Sequence, residues 1–195
     1  EVVEGGPGLQ RDRIELVAVD VGDPSRVVDV VERVRVEDDE VGGDPGPHTS
    51  LGVFLGIKAA VRRALGKDSL NGLHVAVQGA GSVATGVALH AAKEGARLSI
   101  ADVHQDKAQK LADATGGKVV STEEILGLEA DVLSPCALGA ILDEQTIAAL
   151  RVPIVAGGAN NQLATPEDGP RLHSRGIVER AAADRSLDLM QTARM

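Results

Sequence analysis

The sequence has almost no aromatic residues: Phe54 stands alone, and there is no tryptophan or tyrosine. A core without rings must close its gaps by setting helices tightly on a sheet, using Ala, Val, Leu and Ile. Cysteine is as scarce. Cys136 is the only one, which excludes an internal disulfide and suits a reducing cytoplasm. The five histidines show no ligand spacing with that thiol, so no metal site is expected. Positive charge is in deficit, with 20 Lys and Arg against 29 Asp and Glu, a net charge of −9. That balance argues against a nucleic-acid partner held through its phosphates. No apolar run approaches the roughly 18 residues of a bilayer span, so no membrane partner is expected. The opening "EVVEGGPGLQRDR" lacks a basic stretch followed by an apolar one, and does not read as a signal peptide.

What is there fits a globular protein with one sizeable core: 195 residues, 43% apolar and 25% charged. Residues 1 to 41 are rich in valine and charge. They allow two strands around the Gly22-Asp23-Pro24 turn, or a helix over 25 to 36. After the break at "GGDPGPH" the pattern becomes regular. Thr49 is placed to cap a helix whose stripe is Leu51, Phe54, Ile57, Val61 and Leu65, with Arg63 opposite and Gly66 as its end. Apolar strands are predicted at "LHVAVQ" (73–78), "RLSIAD" (97–102), "KVV" (118–120), "ADVLS" (130–134), "VPIVAG" (152–157) and "GIV" (176–178). Helices are predicted between them, at 82–95, 104–116, 143–151 and 166–176, and Ser121 and Glu124 form a capping-box pattern before "ILG". Strands and helices alternating at this pitch predict an α/β fold: a doubly wound, parallel, Rossmann-type sheet covered on both faces.

One stretch carries the chemistry, "VAVQGAGSVATGVALHAAKEGARLSIAD" (75–102). Gly79-x-Gly81-x-x-Ala84 follows a predicted strand and opens a predicted helix, the context a dinucleotide fingerprint needs. Gly79 permits the tight turn, Gly81 lets the backbone approach a pyrophosphate, and Ala84 lets the helix lie against the sheet. The phosphates would rest on the helix N-terminus, held by its free N–H groups and the dipole. Asp102 closes the next strand, 23 residues after Gly79. A carboxylate there accepts from a ribose and repels a 2′-phosphate, which points to NAD rather than NADP.

Two further segments lie past strand ends, where open α/β sheets bind ligands. In "SPCALGAIL" (134–142) the backbone of Cys136, Ala137 and Leu138 can meet the cofactor, while Cys136 has no adjacent base and reads as a small buried filler. In "AGGANNQLA" (156–164), Asn160 and Asn161 can bond a nicotinamide ribose or carboxamide, or simply brace their loop. Thr49 sits where it could meet a polar ligand. His48 reads as a solvated loop histidine, and Lys58, Lys67, Lys93, Lys107, Lys110 and Lys118 read as solvated charge.

From "GGDPGPHTSLGVFLGIKAA" through "LNGLHVAVQGAGSVA", "SPCALGAILDEQTI" and "VAGGANNQLATPEDG" to "LHSRGIV", the chain resembles the glutamate/leucine/phenylalanine/valine dehydrogenases, and within them the leucine dehydrogenase branch. The resemblance runs from Gly42 to Val178 and marks that span as an NAD-binding Rossmann domain. It implies NAD-dependent oxidative deamination of a branched-chain or related apolar L-amino acid to a 2-oxo acid and ammonia. It assigns Gly79 to Thr85 to the pyrophosphate, Asp102 to the adenosine ribose, Cys136, Ala137, Leu138 and Asn160 to the nicotinamide ribose, and Thr49 to the carboxamide. A homo-oligomer is within its expectations.

The resemblance also sets what should be missing. The family carries its catalytic lysines and aspartate in a substrate domain before the "GGDP" segment, whereas residues 1 to 41 contain no lysine. No catalytic residue is therefore assigned. Residues 1–41 and 179–195 read as atypical extensions, products of another reading frame or of a fusion. Two other readings stand beside this one: a non-catalytic NAD-binding module, and an unrelated Rossmann enzyme such as a short-chain or 2-hydroxyacid dehydrogenase, against which this chain's lack of a Tyr-x-x-x-Lys pair and of a well-placed His–acid pair counts.

Overall fold

The computed structural model describes residues 46–181, Leu138 excepted. The expectations for residues 1–41, and for the tail beyond Ala181, lie outside the described residues. Among the described residues, six strands form one sheet: β1 (His74–Gln78), β2 (Arg97–Ala101), β3 (Lys118–Val119), β4 (Val132–Pro135), β5 (Ile154–Gly157) and β6 (Val178–Ala181). Their order is β3-β2-β1-β4-β5-β6 and every pairing is parallel. Among the same residues, five α-helices connect or flank them: α1 (Gly46–Leu65), α2 (Ser82–Lys93), α3 (Gln105–Thr115), α4 (Glu144–Ala149) and α5 (Asp168–Ser174). This is the doubly wound α/β sheet that the alternation predicts.

Alternating strand residues feed two apolar layers. Val75, Val77, Leu98, Ile100, Val132 and Ile154 pack with Phe54, Ile57 and Val61 of α1 and Ala84, Val87, Ala88 and Ala91 of α2. Ala76, Leu133 and Val155 pack on the other side with Leu142, Ile147, Leu150 and Leu172. The small residues of α2 let the helix lie close against the sheet, where Phe54 is the one aromatic ring of the layer. The same economy governs α1 on α2: Gly86 faces the Ser50 side chain so closely that a Cβ there has no room.

Several boundaries differ from the sequence reading. Helix α1 starts at Gly46, so Thr49 lies inside its first turns rather than capping it. Pro47 explains the earlier start, since the first helical turn tolerates a residue without an N–H. Ser121 does accept the Glu124 N–H, at 3.0 Å, but only a three-residue 3-10 turn follows, Ile125–Gly127. Gly127 is a poor helix former and the segment ends there. The last strand begins at Val178 and runs on through "ERA", instead of ending at Val178.

Lys58 is a correction of another kind. Rather than a solvated charge, it is half-buried and bonds Glu94 at 2.5 Å, joining α1 to the end of α2. Its ammonium also stands 5.8 Å from the centre of the Phe54 ring, which stacks on His90. Glu94 accepts the Leu70 N–H at 3.1 Å as well. Burial acts to raise the Glu94 pKa, but the Lys58 bond and the Leu70 N–H together hold it below the ordinary 4.5. The stability this gives is complete above the ordinary glutamate range and is lost as pH falls through the depressed value. Glu94→Gln should therefore cost about 1 kcal/mol at neutral pH and flatten the acid side of the stability profile. Thermal melts of both proteins from pH 7 down to 3 check this, and parallel acid limbs would refute it.

Candidate functional site

Strands β1 and β4 are neighbours at the centre of the sheet, and the strand order reverses between them. The loop after β1 leads towards β2, and the loop after β4 leads towards β5, so a crevice opens at their carboxyl ends. The sequence puts its glycine motif on one wall and "CALGA" on the other.

Gly79 takes φ +108°, a conformation that glycine adopts at no steric cost. A Cβ at Gly79 would lie 3.1 Å from the carbonyl carbon and oxygen of Cys136 and 3.2 Å from the Ala137 nitrogen. The two loops are thus in backbone contact, and hydrogen bonds fix them there. Cys136 N–H donates to the Gln78 carbonyl at 2.8 Å, and Gly79 N–H to the Ala101 carbonyl at 2.7 Å. Gly81, by contrast, is exposed with nothing within 4 Å of its Cβ position. It occupies the N-cap of α2 and, having no side chain, supplies no cap of its own to that helix end. An anion is favoured at such an end by the helix dipole and N–H groups.

Asp102 stands at the end of β2, half-buried, with both oxygens engaged. Ala80 N–H donates to Oδ2 at 2.7 Å and His104 N–H to Oδ1 at 2.8 Å. The acid therefore braces the glycine loop as well as its own turn. Each oxygen keeps a second acceptor site. Ala80 is correspondingly a lining residue whose N–H is already used.

A second glycine closes the other side of the crevice. A Cβ at Gly158 would meet Val83 Cγ1 at 2.8 Å, Val53 Cγ2 at 3.3 Å and Cys136 Sγ at 3.7 Å. Gly158 thus lies where α1, the first turn of α2 and the β4 loop converge. Thr49 is four residues before Val53 on α1, hence on the same face one turn earlier, and it is exposed. Asn160 and Asn161 are exposed at the tip of the β5 loop. The Asn161 carbonyl accepts the Ala140 N–H, and Ala140 takes φ +59° in the left-handed region. Leu138 lies outside the described residues.

Burial raises the Cys136 pKa, with the Ser134 hydroxyl and Gly158 N–H only partly opposing it. A thiol held protonated is no nucleophile. His48 is exposed in the first turns of α1. Among the described residues, no three His, Cys, Asp or Glu side chains converge as a metal site. Nor, among them, is any helix long and apolar enough to cross a membrane.

The sequence reading missed Gly158 and Gln162. Gly158 belongs to a visible Gly-Gly pair, but its neighbours are distant in sequence. Gln162 carries no local signal, yet it is 2% exposed and its Nε2 donates to the Gly157 carbonyl at 3.2 Å and the Arg180 carbonyl at 3.3 Å. Two buried acceptors lack a partner among the described residues, Gln78 Oε1 and Gln162 Oε1. Gln78 is the last residue of β1, so one of them sits at the crevice itself.

A dinucleotide fits these residues. A left-handed glycine jammed against the opposite loop, an open glycine at a helix N-terminus and an acid at the end of β2 are what its pyrophosphate and ribose need.

No protein-family model matches the chain. Individual relatives do. It is 43% identical over 136 residues to a leucine dehydrogenase of Geobacillus stearothermophilus, covering 70% of this chain and 37% of that protein. With a leucine dehydrogenase of Bacillus cereus the identity is 38% over 172 residues, covering 84% of this chain and 46% of the relative. That alignment is longer than Gly42–Val178, so part of the flanking sequence aligns too. The crystal structure of L-tryptophan dehydrogenase from Nostoc punctiforme superposes with a TM-score of 0.70 at 41% identity, over 73% of this chain and 44% of that one. The chain spans less than half the length of these relatives. Motif, sheet order and relatives agree, and the chain belongs to the glutamate/leucine/phenylalanine/valine dehydrogenase family, close to its leucine dehydrogenases.

Proposed function

We propose that residues 42–178 are the NAD-binding domain of an amino acid dehydrogenase acting on a branched-chain or related apolar L-amino acid. The observation that carries this is the pair of glycines at the β1 end. Gly79 is locked against Cys136 and Ala137, while Gly81 leaves open space at the N-terminus of α2. The pyrophosphate would lie over Gly79, Gly81, Ser82, Val83, Ala84 and Thr85, with Ala80 lining the loop. Asp102 would hold the adenosine ribose. Cys136, Ala137, Leu138 and Asn160 would face the nicotinamide ribose, and Thr49 the carboxamide. When bound, NAD supplies the hydride acceptor for oxidation of the amino acid to its 2-oxo acid. The chain's own part is orientation: half-buried Cys136 and the close-packed Gly158 would form the floor against which the cofactor lies.

A second reading, a module that binds NAD without catalysis, is favoured by one specific feature. None of the segments lining the crevice, residues 78–85, 134–142 and 156–163, contains a lysine, and neither do residues 1–41. Titration of NADH into the 195-residue chain separates these readings. The chain has no Trp or Tyr, so NADH emission is read against a dark protein background. Saturable binding is expected, with no NADH formed from NAD plus leucine, valine or phenylalanine. Turnover would refute the non-catalytic reading, and absence of binding would refute both. Homo-oligomerisation belongs to the same proposal and is read from the mass in solution.

A further inference from the structure

Gln162 is buried to 2% exposure, an unusual place for a side chain with two donors and an acceptor. Its Nε2 donates to the carbonyls of Gly157, the last residue of β5, and Arg180, inside β6. Its own carbonyl accepts the Leu142 N–H at 3.0 Å, and the Ala164 N–H donates to the Leu142 carbonyl at 3.0 Å. Through backbone and side chain, one residue therefore joins the loop after β4, the end of β5 and strand β6. Directly before it come Asn160 and Asn161, the exposed tip of the β5 loop, whose Asn161 carbonyl holds Ala140. Its Oε1 is buried without a partner among the described residues, a cost of the order of a hydrogen bond that an apolar residue would avoid.

We infer that Gln162 is a positioning residue for the nicotinamide side of the cofactor. Its carboxamide holds the ends of β5 and β6 in one geometry, and so fixes the loop that presents Asn160. This rests on the NAD reading above. The adenosine side depends on other parts, Asp102 and the glycine loop, which are tied to β2 through Ala80 and Gly79. The two halves of the ligand should therefore respond differently to changes at Gln162.

The test compares NADH with ADP, which carries the adenosine and pyrophosphate but no nicotinamide. In the full chain, Gln162→Met keeps length and apolar contact but removes both donor bonds. Its dissociation constant for NADH should rise about fivefold to tenfold, while that for ADP stays within about twofold. Gln162→Glu keeps the length but turns a carboxylate on the two carbonyls, and should show the same split with a larger NADH loss. Parallel weakening of NADH and ADP would make Gln162 a structural residue only and overturn the inference, as would no change in either. If the unsubstituted chain binds neither ligand, the NAD reading falls and this inference falls with it. If it binds both alike and Gln162→Met separates nothing, only the inference at Gln162 fails.

Discussion

Gly81→Ala should leave the melting temperature of this protein unchanged and weaken NADH binding about tenfold to a hundredfold. Gly79→Ala should do its damage before any ligand arrives. The difference lies in what each Cβ would meet. Gly81 sits at φ −80°, a conformation open to any residue, with nothing within 4 Å of the added carbon. The folded chain absorbs a methyl group there without strain. That methyl then occupies the space through which a pyrophosphate must approach the start of α2, so the damage falls on the ligand and not on the fold. At Gly79 the added carbon is 3.1–3.2 Å from backbone atoms of Cys136 and Ala137, and φ is +108°. Neither obstacle can swing aside, because Cys136 is bonded to Gln78 across the β1–β4 pair. Strain and clash together should cost about 3 kcal/mol, or a melting temperature roughly 10 °C lower. Calorimetry and NADH titration on both variants check this. Undiminished NADH affinity in Gly81→Ala would remove the pyrophosphate from the proposed site.

This contrast shows what a sequence carries and what it does not. The spacing Gly79-x-Gly81-x-x-Ala84, between an apolar run and a small-residue helix, is a local pattern, and it locates the crevice and the order of its walls. Strand positions and both apolar layers follow from periodicity in the same way, since each depends on residues near one another in the chain. The boundaries that differ do so because two local signals compete: Pro47 can sit inside the first turn of α1, and Gly127 stops the helix that Ser121 begins. The remainder is not local. Gly158 matters because Val53, Val83 and Cys136 converge on it from three different elements. Lys58 meets Glu94 only after α1 has packed on α2. Gln162 meets Arg180 only because β6 pairs with β5. Such residues can be named only when the packing that unites them is known.

Asp102 is where the two kinds of information meet, and its substitution is the sharpest test of cofactor choice. Its position marks it as a ribose acid, while the structure shows it already bonded to Ala80 and His104. Either role explains a carboxylate at that point, so loss of NAD binding in Asp102→Ala proves little alone. That variant strips two N–H groups of their acceptor, at roughly 1 kcal/mol each, and loosens the glycine loop for any ligand. NADP makes the roles separable. A bracing acid acts on both cofactors equally, because both carry the same pyrophosphate over the same loop. An acid facing the ribose favours NAD through its hydroxyls and opposes NADP by repulsion from the 2′-phosphate. Asp102→Asn removes the charge while its amide oxygen can still accept one of the two backbone N–H groups. In that variant, affinity for NAD should fall about tenfold while affinity for NADP holds or improves, narrowing the preference by at least about tenfold. Raising the salt concentration should shrink the NADP penalty in the parent protein and leave the variant little changed, since only the parent sets two negative charges against each other. A preference ratio unmoved by Asp102→Asn would confine the acid to its bracing role and place the discrimination elsewhere in the crevice.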